Sequence, residues 1–414
     1  MEKQVKIMKR NLVIILMFLV AFALCITTVS AQFTVKLPNI KINKPDKDPT
    51  KNKDSNTTGN VKTNNVKTTT SDLTYPLVLP TNVPVLLKTS IDVATVVHDE
   101  YWKAPGQRNY SSWVPKIRFN QYYNEEKVLN YTVEYTNPDG SLWYSEKLES
   151  SGRNADRTVL YQSPSPYGNG VLDSKSTVGT GVYGFKITSE DTKAVLFQGK
   201  FKVGKFSRAY SAQEKNKFDF YVEHDWILPF AMIGFHHAID EAGAMRVEIS
   251  VWLKGAVESN ELEGRVFYKG RQIASTKDED GGGVSSVEER ASGYAAAFTP
   301  DKVWKRWEFG WNNFRVDNNG SYNPENFPRA HFADKNPGEY TVKIYRSGAQ
   351  IREFAFTVGA DGRFVTPAYS SQIPLPYYRF VVPVKFTGTG EKWNAAAWKT
   401  ESFYGNPLNG FAVQ

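Results

Sequence analysis

A β-hairpin pattern that occurs twice is the feature that most constrains the fold of this chain. The stretch GEYTVKI at 338–344 alternates apolar and polar residues, and EFAFTVG follows it at 353–359. The same arrangement occurs earlier, as GVYGFKI at 181–187 followed by FQGKFKVG at 197–204. Alternation with a period of two is typical of a strand that buries one face. The sequence therefore predicts a tandem repeat of one β-domain.

The N-terminal 75 residues have the composition of an export signal and a tether. Residues 1–31 combine a basic start, an apolar run and a small-residue exit at Ala31, which predicts a cleaved signal peptide. Residues 32–75 are rich in Lys, Thr and Asn and contain almost no large apolar side chain after Ile42, which predicts a disordered linker. The one cysteine, Cys25, lies in the predicted signal peptide, so we expect a mature chain without disulfides.

A turn sequence inside the first repeat predicts one further hairpin. NPDG at 137–140 places a proline and a glycine where a tight turn needs a preset φ angle and a positive φ angle, respectively. The alternating residues on both sides predict that 128–148 forms two paired strands.

Each repeat carries a tyrosine directly after a glycine-containing turn, near its penultimate strand. PGEY at 337–340 and GVY at 181–183 resemble the tyrosine corner of the immunoglobulin-like superfamily, which includes bacterial tandem Ig-like and fibronectin-type modules. The resemblance implies an all-β fold of two tandem antiparallel Ig-like β-sandwich domains. It also implies a role in binding, spacing or scaffolding, because members of this superfamily carry no shared catalytic site.

The expected domain boundaries follow from the two repeats. The first sandwich is predicted at 76–206 and the second at 219–365, joined by a polar connector. A C-terminal segment at 366–414 matches neither repeat and is expected to pack on the second domain. The stretch YYRFVVPVKF at 377–386 could supply an added strand within it.

The charge distribution argues against nucleic acid as a partner. The formal net charge is +8, but the excess lies in the first 70 residues, and residues 71–414 carry 39 basic and 39 acidic side chains. A protein that binds nucleic acid needs a concentrated basic face to displace counterions from phosphates. We therefore expect no nucleic-acid partner. The apolar run from Leu12 to Ile26 is short for a membrane span, so we expect none in the mature chain; the alternative is that this segment stays uncleaved as a membrane anchor.

The second repeat is longer than the first by 24 residues, which fall within or near 281–336. This aromatic-rich insertion supplies the candidate binding residues Trp304, Trp307, Trp311, Asn313 and Tyr322. Aromatic faces beside polar side chains suit the stacking and hydrogen bonding of a carbohydrate. The alternative is that Trp307 and Trp311 alternate along a further strand and are buried in the core.

Four residues are weak candidates for a metal site, namely His224, His236, His237 and Asp240. Imidazole and carboxylate groups are ligands of zinc and similar ions. Adjacent histidines on a strand point to opposite faces, however, so His236 and His237 could not both join one site there. No catalytic motif and no cofactor-binding motif is recognisable, and we expect no cofactor.

These observations predict an exported, non-enzymatic binding or scaffolding protein of a bacterial cell envelope. Its location is expected to be periplasmic, cell-surface or extracellular. A protein partner is the first hypothesis, and a carbohydrate bound by the Trp304, Trp307 and Trp311 region is the alternative. A metal-dependent hydrolase built around the histidines is a third hypothesis.

Overall fold

The structure of the chain is a computed structural model. It describes residues 69–70, 84–122, 128–153, 158–167, 170–208, 214–236, 244–279, 281–295, 299–317, 325, 327–372, 380–388, 391, 393–394 and 410–411. The predicted signal peptide at 1–31 lies outside these residues, as does the predicted linker at 32–75 apart from Thr69 and Thr70. Within the described residues, no helix has the length and apolar character needed to cross a membrane.

The described residues form an almost entirely β structure with antiparallel sheets, which confirms the predicted fold class. In the N-terminal half, the regular elements are β1 (Thr69–Thr70), β2 (Val85–Leu86), β3 (Asp92–His98), β4 (Ser112–Tyr122), β5 (Tyr131–Thr136), β6 (Leu142–Lys147), β7 (Glu149–Arg153), β8 (Thr158–Gln162), α1 (Val171–Lys175), β9 (Gly181–Ser189), β10 (Val195–Ser207) and β11 (Phe218–Val222). Sheet 1 has the order β11-β10-β9-β5-β6. Sheet 2 has the order β2-β4-β8-β7, with β3 also paired to β4.

The C-terminal half contributes two further sheets. Its strands are β12 (Phe230–His236), β13 (Ala244–Lys254), β14 (Leu262–Tyr268), β15 (Arg271–Ser275), β16 (Gly282–Arg290), β17 (Trp304–Asp317), β18 (His331–Phe332), β19 (Gly338–Arg346), β20 (Ala349–Val358), β21 (Val365–Thr366), β22 (Phe380–Pro383) and β23 (Lys385–Phe386). Sheet 3 has the order β16-β17-β13-β12-β22, and β18 runs parallel to β17 at its side. Sheet 4 has the order β15-β14-β19-β20-β23, and β1 pairs with β21.

Short 3-10 helices occupy several of the connections. They span Lys88–Ser90, Pro105–Gln107, Asp225–Ile227, Ser259–Glu261, Pro300–Lys302, Ala333–Lys335 and Ala368–Gln372. Two of them matter for the sites below. Pro105–Gln107 lies in the β3–β4 loop, and Asp225–Ile227 lies in the connection between the two halves of the chain.

The sheets pack in pairs. Buried side chains of sheets 1 and 2, such as Phe185 and Phe119, share one hydrophobic cluster. Buried side chains of sheets 3 and 4, such as Phe309 and Val342, share a second cluster. We refer to sheets 1 and 2 as the first sandwich and to sheets 3 and 4 as the second sandwich.

The three predicted hairpins are confirmed. β9 pairs with β10 and β19 with β20, and β5 and β6 are joined by the predicted NPDG turn. The repeats match in detail, because Tyr183 stacks on Phe201 at 5.8 Å and Tyr340 stacks on Phe356 at 5.2 Å between ring centroids. The Tyr340 hydroxyl donates a hydrogen bond to the backbone carbonyl of Asn336 at 2.7 Å, as a corner tyrosine does.

The two sandwiches share a buried interface. On β12 and β13 the side chains of Phe230, Met232 and Trp252 point away from the second sandwich's own core and join the hydrophobic cluster of the first sandwich. Trp226, in the connection, and Trp304 do the same. The part of sheet 3 that carries these residues, on β12 and the C-terminal end of β13, is therefore buried on both faces.

Polar groups also cross this interface. Ser292 donates a hydrogen bond to the buried carboxylate of Asp219, which lies on β11. The guanidinium of Arg208 stacks on the ring of Tyr294 at 3.9 Å. Residues 219–222, the predicted start of the second domain, belong to β11 and pair with β10 of sheet 1. The connection between the sandwiches is thus part of their contact.

The C-terminal segment contributes edge strands to both sheets of the second sandwich. β22 pairs with β12 of sheet 3, and β23 pairs with β20 of sheet 4. Phe386 of β23 stacks on Trp393 at 4.4 Å, and the carboxylate of Glu391 forms an ion pair with the buried guanidinium of Arg352. These contacts hold β22, β23, Glu391 and Trp393 along one edge of the sandwich.

Candidate functional site

The three tryptophans predicted to bind carbohydrate are buried. Trp304, Trp307 and Trp311 all lie on β17, and the last two face the core of the second sandwich. The indole N–H of Trp304 donates to Asp225 Oδ1 at 2.9 Å, and that of Trp311 donates to the carbonyl of Gly264 at 3.0 Å. None of the three presents an open ring face on which a sugar could stack.

The other two predicted binding residues add no site here. Asn313 lies half-buried on β17, and Tyr322 lies outside the described residues. The aromatic-rich insertion, as far as the structure describes it, forms β16 and β17 of sheet 3 instead of an exposed loop. The alternative interpretation, an aromatic strand in the core, matches the geometry.

The histidine candidates are not brought together in the described part of the chain. His224 is fully buried, its ring lies 5.2 Å from that of Trp304, and burial lowers its pKa well below the usual value. The side chain of His236 and all of His237 and Asp240 lie outside the described residues. Among described side chains, no cluster of three or more His, Cys, Asp or Glu groups could hold a metal ion.

A buried carboxylate in the connection organises the surrounding elements. Asp225 accepts hydrogen bonds from Lys254 Nζ at 3.1 Å, from Trp304 and from the backbone N–H of Asn394. These donors come from β13, β17 and the C-terminal segment. Because the Asp225 oxygens accept from all of these groups, the cluster fastens the connection to the second sandwich.

Glu223 lies beside this cluster and shares its electrostatics. Burial, and then the negative charge of Asp225, raise the pKa of Glu223 to about 7 despite the nearby Lys254 and Lys302. A carboxyl group with such a pKa exchanges its proton near neutral pH.

An exposed tryptophan lies elsewhere, in the β3–β4 loop at residues 99–111 of the first sandwich. Trp102 in this loop is 40% exposed and is the only tryptophan among the large hydrophobic side chains exposed in the described residues. The guanidinium carbon of Arg108 lies 3.7 Å from the centre of the Trp102 ring. Tryptophan and arginine are among the residue types enriched at the energetic hot spots of protein interfaces.

Backbone hydrogen bonds give this loop a defined shape. The N–H of Tyr101 donates to the carbonyl of Arg108 at 3.2 Å, and that of Gln107 donates to Ala104 at 2.8 Å. The N–H of Tyr110 donates to Gln107 at 2.9 Å, which continues the turn that Pro105 begins. The loop therefore holds Trp102 in place before any partner binds, which lowers the entropic cost of binding.

Charges of both signs lie on and around the loop. Burial, and then the positive charge of Lys175 on α1, lower the pKa of Lys103, so the two ammonium groups lie close enough to repel each other. The loop also carries Arg108, Asp99 and Glu100, and the carboxylate of Asp99 forms an ion pair with Arg208.

The sequence analysis did not single out this loop. Its signal was present as YWKAPGQRNY at 101–110, an aromatic pair and a basic residue around a Pro-Gly turn. The binding site was instead predicted in the second domain, because the insertion contains more aromatic residues. The tryptophans of that insertion are buried.

Comparison with family models and curated proteins assigns no family to the chain. No protein-family model matches the chain, and no curated protein shows significant sequence similarity to it.

Proposed function

We propose that this protein is exported to a bacterial cell envelope, where it binds or scaffolds a protein partner through the β3–β4 loop at 99–111. The observation that carries the proposal is the exposed Trp102, clamped by Arg108 on a hydrogen-bonded loop. Elsewhere in the described residues, the large aromatic side chains point mostly into the two cores. The predicted export signal and the two packed sandwiches support an extracytoplasmic binding role.

A carbohydrate ligand is the competing hypothesis, and it now has to use a different surface. With Trp304, Trp307 and Trp311 buried, stacking on a sugar would fall to exposed rings such as Trp102 and Tyr167. Arg108 already covers one face of the Trp102 ring, which reduces the area open to a sugar.

The test compares the protein with Trp102→Ala in capture experiments. Immobilised protein is incubated with an envelope extract in one arm and with insoluble polysaccharides and peptidoglycan in the other. Truncation of a hot-spot tryptophan costs about 2 kcal/mol or more, so we expect at least about 30-fold weaker capture of the partner protein by the variant. Arg108→Ala should weaken capture several-fold through loss of the cation–π contact.

The matched control is Val195→Ala, because Val195 is 54% exposed and lies beside Thr188 at the far end of β9. This variant should capture the partner as the parent does. Trp102-dependent retention on a polysaccharide would establish the carbohydrate hypothesis instead. Equal capture by the parent and the Trp102 variant would contradict the assignment of the loop.

A further inference from the structure

A small cleft lies where the two sandwiches meet. Its volume is about 130 Å³, similar to a cavity of about 150 Å³ that holds benzene in another protein. Thr89 and Asn120 line it from the first sandwich, while Trp226, Trp252 and Met232 form an apolar wall from the second. The cleft therefore has room for one ring or one branched aliphatic group.

Charged side chains also line the cleft, and the guanidinium carbon of Arg290 lies 4.9 Å from the centre of the Trp252 ring. Arg290 is fully buried and forms ion pairs with Glu288 at 3.0 Å and with Asp92 at 3.6 Å. Its guanidinium also donates to the carbonyl of Thr89 at 3.1 Å, so it joins the two sandwiches. Arg306 shares the same Glu288 at 3.3 Å.

The charged groups beside the cleft form one network. Arg118 forms an ion pair with Asp92 at 2.8 Å, so the guanidinium groups of Arg118, Arg290 and Arg306 connect the two carboxylates Asp92 and Glu288. The electrostatic consequence appears at Glu288, where burial alone would raise the pKa, but Arg290 and Arg306 outweigh burial and lower it.

One arginine is placed to meet a ligand. The side chain of Arg306 is 18% exposed, whereas that of Arg290 is 1% exposed. The Asn120 side chain, also at the cleft, offers an amide donor and an amide acceptor. A ligand that placed a carboxylate at the partly exposed Arg306 and an apolar body against Trp226 and Met232 would fill the volume.

We propose that the cleft between the sandwiches binds a small carboxylate-bearing apolar group, with Arg306 as the residue that meets the carboxylate. The group can come from a free organic acid or from the C-terminal residue of a peptide. This site is separate from the 99–111 loop, and its assignment does not depend on the function proposed above.

The test uses benzoate, benzyl alcohol and benzylamine as probes that share a ring and differ in charge. Binding to the full protein is measured by calorimetry and by tryptophan fluorescence. A hydrogen bond between charged partners is worth about 1.5–3 kcal/mol, so benzoate should bind about tenfold or more tightly than benzyl alcohol. Benzylamine should bind more weakly than both. Raising the ionic strength should reduce the advantage of benzoate.

Variants separate this site from general anion binding. Arg306→Gln should remove the preference for benzoate, whereas Arg271→Gln, at an exposed arginine on β15, should keep it. Trp102→Ala should also keep it, which distinguishes failure of this site from failure of the proposed function. Equal binding of the three probes, no saturable binding of benzoate at millimolar concentration, or an unchanged preference in Arg306→Gln would overturn the proposal.

The source of the carboxylate is resolved by a second pair of probes. A tetrapeptide that ends in leucine is compared with the same peptide amidated at its C-terminus. Binding of the free-acid peptide alone assigns the cleft to peptide C-termini, and binding of benzoate without either peptide assigns it to small organic acids.

Discussion

Asp225→Asn is expected to lower the free energy of unfolding by about 3 kcal/mol. The side chain of Asp225 is 1% exposed and lies 2.9 Å from the ammonium of Lys254, which is itself 9% exposed. The substitution keeps the shape of the side chain but removes its charge, so the ammonium stays out of water without its carboxylate. Removing one partner of a buried ion pair costs about 3–5 kcal/mol, and the remaining amide oxygen can still accept from Trp304, which places the expected loss at the lower end.

The assay is urea denaturation at pH 7, followed by circular dichroism and tryptophan fluorescence. It is run on Asp225→Asn, Lys254→Met and the double variant. Because the two groups interact directly, the double variant should be more stable than the sum of the single effects implies, by about 1–3 kcal/mol. The control is Asp301→Asn, since Asp301 is 70% exposed and pairs with Lys302 at the surface. That change should stay within about 0.5 kcal/mol of the parent.

Two results would refute this reasoning. A loss below about 1 kcal/mol for Asp225→Asn would show that the carboxylate does not organise the connection. Strict additivity of the two single variants would show that Asp225 and Lys254 do not form the ion pair on which the magnitude depends.

Three further predictions concern stability. The folded-state pKa of Glu223, about 7, lies above its usual value of 4.5, so the stability this group contributes is present at low pH and lost as the pH rises through about 7. Between pH 4.5 and 8, the free energy of unfolding of the parent should therefore fall by on the order of 2–3 kcal/mol relative to that of Glu223→Gln. If the free energy of unfolding changed with pH in the same way in both proteins, this prediction would be wrong. Tyr340→Phe removes the 2.7 Å hydrogen bond to the Asn336 carbonyl and should lower the free energy of unfolding by about 1–2 kcal/mol, measured by thermal denaturation. A loss below about 0.3 kcal/mol would show that this hydrogen bond does not stabilise the fold. Burial already lowers the pKa of Arg352 to about 9, so Glu391→Ala leaves a poorly solvated cation unpaired and should speed proteolysis of the C-terminal segment; unchanged cleavage would show that the pair does not hold the segment.

The strand pairings were predictable because their signals are local. The period of two in 181–187 and 338–344 marks the buried face of each strand, and the turn at 137–140 ends in Gly140, whose φ is +85°. A residue with a side chain would strain that turn. The alternation of apolar and polar residues and the turn sequence were thus sufficient to predict the hairpins and the fold class.

The fate of the aromatic insertion was harder to predict, because it depends on which surfaces meet. Along β17, Trp307 and Trp311 lie on the same face of the strand, which packs against the core of the second sandwich. Trp304 lies on that opposite face and would be exposed in an isolated sandwich. The first sandwich covers it, and no local pattern in the sequence reports such a contact between distant segments.

The candidate loop shows the converse problem. Trp102 and Arg108 are six positions apart in a polar stretch, and the sequence does not show that a turn brings the guanidinium over the indole. Only the backbone bonds between Tyr101 and Arg108 and within the Pro105 turn place the pair together. Exposure of a single aromatic residue is a property of the folded surface.

The most direct test of the proposed function is site-specific photocrosslinking in the cells that produce the protein. A photoreactive phenylalanine analogue is placed at Trp102 in one variant and at Val195 in another. The account predicts a discrete crosslinked adduct with one protein at position 102 and none at position 195. The same adducts at both positions, or no adduct at position 102 in a folded and exported variant, would contradict it.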